Sequence, residues 1–390
     1  MILVWLTKDV FNNPSIKVPF FSPYIDEKDK RAVSDSLSST LLTDGPKLIE
    51  FEKRFSEFAK SDYAIGVSNA TSALHLSLKA LGVGSGDEVI VPDMTFVATA
   101  NAVLLTGATP VIVDVNGSDM NISIESIKKN ITSRTKVILP VHFAGKVCQV
   151  NDIKKIVKNK GIFLVEDCAH AIGTKFNGNH VGTFGDAGCF SFYPTKNITT
   201  LEGGMIITDK KKIHDFAKSS RNHGITKSLS QRYKSKKPWD YDIIEAGYNY
   251  RIDEIRSSLG LSQLNKIINL NSSRKRAFEY YNRKLENKKG IEIPEIGKPD
   301  EHSFHLYIIK IKKEFGVSRD NLYIKLLENG IRTTVHYKPL HMFSLMKKRS
   351  KISDNLLNSK RLYEEVLSLP LYPQITKKQQ DFVIEHIMSA

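Results

Sequence analysis

The chain has 390 residues, 41% of them hydrophobic and 25% charged, a balance that excludes a disordered or collagen-like polypeptide. Its 57 basic and 42 acidic residues leave a net charge of +15, which suits anionic ligands and says nothing of fold. At about 150 residues per domain, the length suggests two to three domains with a core that needs no staples. Cys148, Cys168 and Cys189 are too few and too scattered for a disulfide framework or a zinc site. Cys168 and Cys189, in apolar surroundings, read as buried thiols, and a reducing cytoplasm fits. No run approaches the roughly 18 apolar residues of a membrane helix. The opening Met1-Ile-Leu-Val-Trp-Leu6 lacks a basic leader and meets charge at once, which argues against a signal peptide.

Taken in chain order, residues 1–17 have little periodicity and read as an N-terminal arm or extension. From residue 60 to 210, short β-branched runs alternate with longer amphipathic ones. The strands predicted there are Tyr63–Val67, Glu88–Val91, Thr109–Val115, Lys136–Val141, Ile162–Glu166, Gly188–Phe192 and Met205–Thr208. Helices are predicted at Thr71–Leu81, Phe96–Leu105, Ile124–Ile131 and Val150–Lys158. This alternation predicts an α/β fold with a largely parallel sheet covered on both faces. The last two strands lack an intervening helix, so the sheet is expected to be mixed there. One long helix is expected over Asp253–Ile268, then a smaller α+β domain with strands at Leu306–Ile311 and Thr333–His336. The division is therefore a large domain over 18–265 and a small one over 266–390.

Four segments could carry chemistry. Ser68-Asn-Ala-Thr-Ser72 joins a strand to a helix, where unpaired amides and the dipole suit a phosphate; plain N-capping is the simpler account. Asp167 ends an apolar strand, where open α/β sheets meet their ligands, although a terminal Asp often serves only a turn. His170 could face a ligand or satisfy a local bond. Lys196 follows the apolar run from Cys189 and precedes Gly203-Gly204, so burial would lower its pKa and free its amine to attack a carbonyl. Gly82-Val-Gly-Ser-Gly-Asp87 precedes a strand instead of opening a helix, the wrong order for a dinucleotide loop. A phosphate turn, a strand-end carboxylate and a sheltered lysine in one domain are together what pyridoxal 5'-phosphate (PLP) requires.

The chain resembles the DegT family of nucleotide-sugar aminotransferases, PLP enzymes of fold-type I. The likeness runs from about Val18 to the C-terminus. It rests on Leu42-Thr-Asp-Gly-Pro46, Ser68-Asn-Ala-Thr-Ser-Ala-Leu74, Gly86-Asp-Glu-Val-Ile-Val-Pro92 and Thr95-Phe-Val-Ala-Thr-Ala-Asn101. It continues through Glu166-Asp-Cys-Ala-His-Ala171, Phe190 to Gly204, Gly247-Tyr-Asn-Tyr-Arg251 and Val335-His-Tyr-Lys-Pro-Leu340. The resemblance implies that Lys196 forms the Schiff base and then moves the proton, with Asp167 as partner of the pyridinium nitrogen. It further implies that Ala70, Thr71, Ser72 and Ser191 hold the phosphate, that Phe96 stacks on the ring and that His170 lies close to it. Asn249 matches a residue that reaches the phosphate of the neighbouring subunit, which implies a homodimer with shared active sites. Thr43, His336 and Tyr337 fall in segments near the sugar-nucleotide pocket. Two positions depart from the pattern: Ala70 and Leu201 stand where glycine is common.

What the resemblance implies is transfer of an amino group from L-glutamate to a nucleotide-linked 4-keto-6-deoxy sugar, for surface glycan or polysaccharide biosynthesis. Amination at C3 of a 3-keto-sugar is the alternative within the class. A basic nucleic-acid-binding protein is the alternative outside it, and no helix-turn-helix, zinc-finger or aromatic-interleaved basic motif supports that. No nucleic acid, membrane or metal partner is expected.

Overall fold

The computed structural model describes residues 16–390 except Ser228. Of the expected arm, only Ile16 and Lys17 lie within the described residues; the amides of Lys17 and Val18 both donate to the Gly330 carbonyl. Five strands come first: β1 (Tyr63–Val67), β2 (Glu88–Pro92), β3 (Thr109–Val113), β4 (Thr135–Ile138) and β5 (Phe163–Asp167). A hairpin of β6 (Lys175–Phe176) and β7 (Asn179–His180) precedes β8 (Ala187–Ser191) and β9 (Gly204–Thr208). The C-terminal part adds β10 (Ile291–Glu292), β11 (Tyr307–Ile311), β12 (Lys351–Ile352) and β13 (Val366–Leu369).

Eight strands form one sheet in the order β1-β9-β8-β5-β4-β2-β3-β12. Only β9 runs against its neighbours; every pairing from β8 to β12 is parallel. The α/β class, the mostly parallel sheet and the mixed end are as the sequence indicated. Period-2 side chains feed a core on each face. Ile90, Leu164, Phe190 and Ile207 pack on one side with Phe51 and Phe55, while Val89, Val91, Val165, Cys189 and Ile206 pack on the other with Leu74 and Leu76. A second sheet, β10-β11-β13, gathers its own core around Phe278, Tyr281 and Tyr307, and Val18 joins it. Among the described residues, no helix is long and apolar enough to cross a membrane.

Three local expectations are corrected. The helix expected over Asp253–Ile268 is two helices, Glu254–Leu264 and Ile267–Leu285. The chain turns at Asn265 and Lys266, so that Ile267 and Leu270 enter the core while Lys266 Nζ reaches Asp26 and Asp29, each at 2.7 Å. The strand expected over Thr333–His336 is a single bridge between Thr334 and Ser368; beyond it the chain turns toward the large sheet. The helix expected from Phe96 begins at Ala98, which leaves Phe96 in the preceding loop with 58% of its surface exposed.

Glu166, fully buried, anchors the end of β5. Its carboxylate accepts from the amides of Gly182, Phe184 and Gly185 at 2.8–2.9 Å and lies 2.9 Å from His142 Nε2. His142 Nδ1 accepts from the Cys148 amide, so Nε2 carries the proton that Glu166 receives. His142, Glu166 and Cys168 come close enough together to hold a metal ion, yet the imidazole and carboxylate atoms are already spent on these bonds. The cluster is a structural clasp. Replacing Glu166 with Ala strands several buried donors, so Glu166→Ala is expected to cost at least about 3 kcal/mol in urea unfolding, while a chelator leaves the wild-type transition unchanged.

Candidate active site

The strands that end at one edge of the large sheet deliver the candidate residues. β1, β2, β4, β5 and β8 all finish there, and β9 begins there. Lys196 lies in the loop between β8 and β9. The loop folds back on itself: the Lys196 amide donates to Tyr193 O at 2.9 Å, Thr200 N to Phe192 O at 3.0 Å and Phe192 N to Gly203 O at 2.9 Å. Leu201 takes a left-handed φ of 67° with its side chain 58% exposed, a conformation that glycine would adopt without strain. Desolvation lowers the Lys196 amine to about 8, partly opposed by the nearby Asp167 carboxylate.

Asp167 is buried at the tip of β5. Its carboxylate accepts from the Ala169 amide at 3.1 Å and from the Thr99 hydroxyl at 2.9 Å, and Thr95 and Thr99 share a further bond of 2.8 Å. Burial pushes the carboxyl up, while these donors and Lys196 pull it back. Thr99 lies in the Thr95–Asn101 motif but was assigned no role from sequence; the helix Ala98–Leu105 sets it beside Asp167.

The turn after β1 is N-capped, as the simpler reading of its sequence has it. Asn69 caps the helix Ala70–Ala80, its Oδ1 accepting from the amide and hydroxyl of Ser72 at 2.9 and 3.1 Å. Ser68 and Ser72 hydroxyls lie 2.9 Å apart. The amides of Ala70 and Thr71 have no hydrogen-bond partner among the described residues, and they lie at the positive end of the helix. The Ser72 amide is taken by the cap. Gly204 pairs with Val67 on one side and Ser191 on the other, which brings Ser191 next to the turn. A Cβ on Gly204 would come within 2.5 Å of Asn69 and 2.8 Å of the Ala70 amide nitrogen. Asn69 and Gly204 were not singled out in the sequence, where a capping Asn and one glycine of a pair are commonplace.

His170, His336 and Tyr337 are brought together with Lys196. His170 Nε2 and Tyr337 Oη lie 3.1 Å apart, and His170 Nδ1 is buried without a partner. Burial and the Lys196 charge hold His170 well below its ordinary pKa and His336 at about 3, so both imidazoles are neutral. A cavity is lined by Phe20, Phe21, Lys196, His305, His336 and Tyr337. Phe20 and Phe21 come from the N-terminal segment and His305 from the approach to β11; none was predicted. The Phe96 ring lies 6.1 Å from that of Tyr337. Thr43 and Asn249 are exposed. Thr43 bridges Asp253 and Asn249 bridges Asn222, and the carbonyl of neighbouring Tyr250 accepts from Ser68 N at 2.8 Å.

With this geometry in place, the likenesses can be read. A sequence model of the DegT/DnrJ/EryC1/StrS aminotransferase family matches residues 23–388. Spore coat polysaccharide biosynthesis protein SpsC of Bacillus subtilis is 36% identical over 373 residues, covering 95% of this chain and 96% of that protein. Among solved structures, Helicobacter pylori PseC, an aminotransferase involved in the biosynthesis of pseudoaminic acid, superposes with a TM-score of 0.89 at 31% identity. The match covers 95% of this chain and 98% of that one. Spr1654 from Streptococcus pneumoniae in its PLP form gives 0.88 at 31%, over 95% and 98%.

Two outcomes follow from the site alone. Reductive methylation of Lys196, followed by peptide mass spectrometry, should rise with pH through a midpoint near 8, because only the uncharged amine reacts; exposed lysines rise about two units later. Gly204→Ala should weaken binding of a phosphorylated pyridoxal at least ~10-fold and that of unphosphorylated pyridoxal little, since the added methyl crowds the Asn69–Ala70 peptide at the helix end.

Proposed function

Because the chain belongs to the DegT/DnrJ/EryC1/StrS aminotransferase family, we propose that it is a PLP-dependent aminotransferase acting on a nucleotide-linked 4-keto-6-deoxy sugar. L-glutamate is the amino donor in this reading, and the product feeds surface polysaccharide or glycan synthesis in the cytoplasm. One observation carries it: an amine lowered to about 8 beside a buried carboxylate and a helix end with two unused amides.

The residues present fit the cofactor. Lys196 supplies the amine for its aldehyde, and Asp167 a negative charge for its pyridine nitrogen. The Ala70 and Thr71 amides, with the Ser191 hydroxyl, suit its phosphate, and the Ser72 hydroxyl joins them by turning from Asn69 Oδ1. Phe96 offers an aromatic face, and the unpartnered His170 Nδ1 a polar contact. Bound there, the cofactor supplies an electron sink for charge that develops at the donor's Cα. The protein's own chemistry is proton handling. At pH 7 about a tenth of Lys196 amines are uncharged, against well under a thousandth of exposed lysines. Lys196 Nζ can therefore take a proton from the donor's Cα and give it back at a second carbon. The Thr99 and Ala169 bonds hold Asp167 in its charged form against the cost of burial.

Thr43, His336 and Tyr337 are assigned to the sugar-nucleotide side, with neutral His336 and the phenol of Tyr337 offering uncharged polar contacts to the sugar. The net charge of +15 favours approach of an anionic diphosphate. The exposed rings and side chain of Phe96, Tyr193 and Leu201 around the site support a second copy of the chain covering them, with Asn249 of each copy serving the other's phosphate.

The deciding experiment incubates purified protein with PLP, L-glutamate and a panel of nucleotide-linked 4-keto and 3-keto sugars, scored by product mass. Conversion of 4-keto-6-deoxy acceptors supports the reading; conversion of 3-keto acceptors alone overturns the C4 assignment. Lys196→Ala should abolish turnover, by at least ~10⁴-fold, with the fold retained by circular dichroism. Asp167→Asn should bind cofactor yet react about 10²-fold or more slowly.

A further inference from the structure

Asn197 follows the candidate lysine directly and is buried. Its side-chain amide bonds to residues outside its own loop. Nδ2 donates to the Ser303 carbonyl and to Asn271 Oδ1, both at 2.7 Å. A backbone carbonyl can only accept, and Asn271 is itself oriented by donating Nδ2 to Ile172 O at 3.0 Å. These two acceptors fix which end of the Asn197 amide is nitrogen. Its Oδ1 must then accept, and the group it faces is His305 Nδ1 at 3.1 Å. His305 therefore carries its proton on Nδ1.

The charges that act most strongly on this imidazole are those of His170, Lys196, Arg274 and His336. Burial among them holds His305 well below its ordinary pKa. The ring is thus neutral, and Nε2 keeps a lone pair. That ring lines the cavity with Lys196 and packs against His170 with centroids 4.5 Å apart. The peptide bearing it is anchored independently. Arg274 donates to His305 O and Leu371 O at 3.3 and 2.9 Å, Ser303 Oγ donates to His170 O at 2.7 Å, and the Ser303 and Leu306 amides donate to Gly145 and Ala144.

We infer that Asn197 and His305 are positioning residues for the Lys196 amine. The Asn197 amide, turned by two fixed acceptors, locks His305 in its Nδ1–H tautomer and clamps the peptide after Lys196 to the segment leading into β11. This rests on the reading of Lys196 given above and extends it to the small sheet: the lysine's anchor point is set by residues 74 to 108 positions from Asn197. An amine that must leave a carbon and return to it depends on such an anchor, because a misplacement of about 1 Å costs on the order of 10²-fold in rate.

Two arms test the proposal. In the first, capture of unphosphorylated pyridoxal at Lys196 is trapped with borohydride and timed by peptide mass spectrometry. An asparagine amide places its nitrogen near a histidine's Nδ1, and a glutamine amide near its Nε2. His305→Asn should therefore stay within about 3-fold of wild type, while His305→Gln and Asn197→Ala each fall at least ~10-fold with unchanged circular dichroism. The reverse order for the two His305 variants, or wild-type capture by Asn197→Ala, would overturn the proposal. The second arm needs no variant to fold: long-range ¹H–¹⁵N correlation on wild-type protein should show His305 as the Nδ1–H tautomer from pH 6 to 9. An Nε2–H tautomer or an imidazolium at pH 7 sinks the idea. If wild-type Lys196 captures no pyridoxal at all, the assignment of Lys196 fails, and the tautomer measurement still decides the Asn197–His305 bond.

Discussion

Desolvation of two groups of opposite sign, the Lys196 amine and the Asp167 carboxylate, is the constraint around which the rest of the structure is arranged. Taking either out of water alone is expensive. Here each moderates the other: the carboxylate holds the amine from falling further, and the amine helps keep the carboxylate charged. The balance leaves an amine with a midpoint within a unit or so of neutrality, a condition that neither an exposed lysine nor a fully paired one meets.

The sheet supplies the burial and the direction. Five strands end at one edge and the sixth, antiparallel, begins there, so the turn after β1, Asp167, Ser191 and Gly204 share that edge without any being close in sequence. Gly204 is the hinge of this convergence. Paired with both Val67 and Ser191, it lets the two strands and the helix end approach to distances that any side chain would prevent. Beneath the edge, the Glu166 clasp holds the loop through Gly182 to Gly185 and fixes β5 where Asp167 emerges.

The second sheet contributes as much to the site as the first. His305, His336 and Tyr337 reach the cavity from segments flanking β11 and β13, and Phe20 and Phe21 from the chain's start. Leu306, Ile308 and Val366 pack with Met94, Val115 and Phe143 at the seam, so the two cores share a hydrophobic boundary. The Asn197–His305 bond crosses the same seam, beside the amine, and joins the chemistry of one part to the packing of the other.

Local pattern was enough for the large-sheet strands between residues 63 and 208, the capped helix after β1 and the mixed end of the sheet, because period-2 alternation and capping residues act over a few neighbours. The set of motifs, Ser68 to Leu74, Glu166 to Ala171 and Phe190 to Gly204 among them, also carried the resemblance to the family whose model matches residues 23–388. Tertiary structure alone decided the break at Asn265–Lys266, where an ion pair to Asp26 and Asp29 outweighs helical continuity. It likewise decided the turn beyond Thr334 that sends His336 and Tyr337 inward. It also decided the parts played by Thr99, Asn197, Gly204, His305 and Phe20. Each of these is ordinary in sequence; what distinguishes it is a partner far along the chain, and burial and hydrogen-bond geometry exist only once that partner is in place.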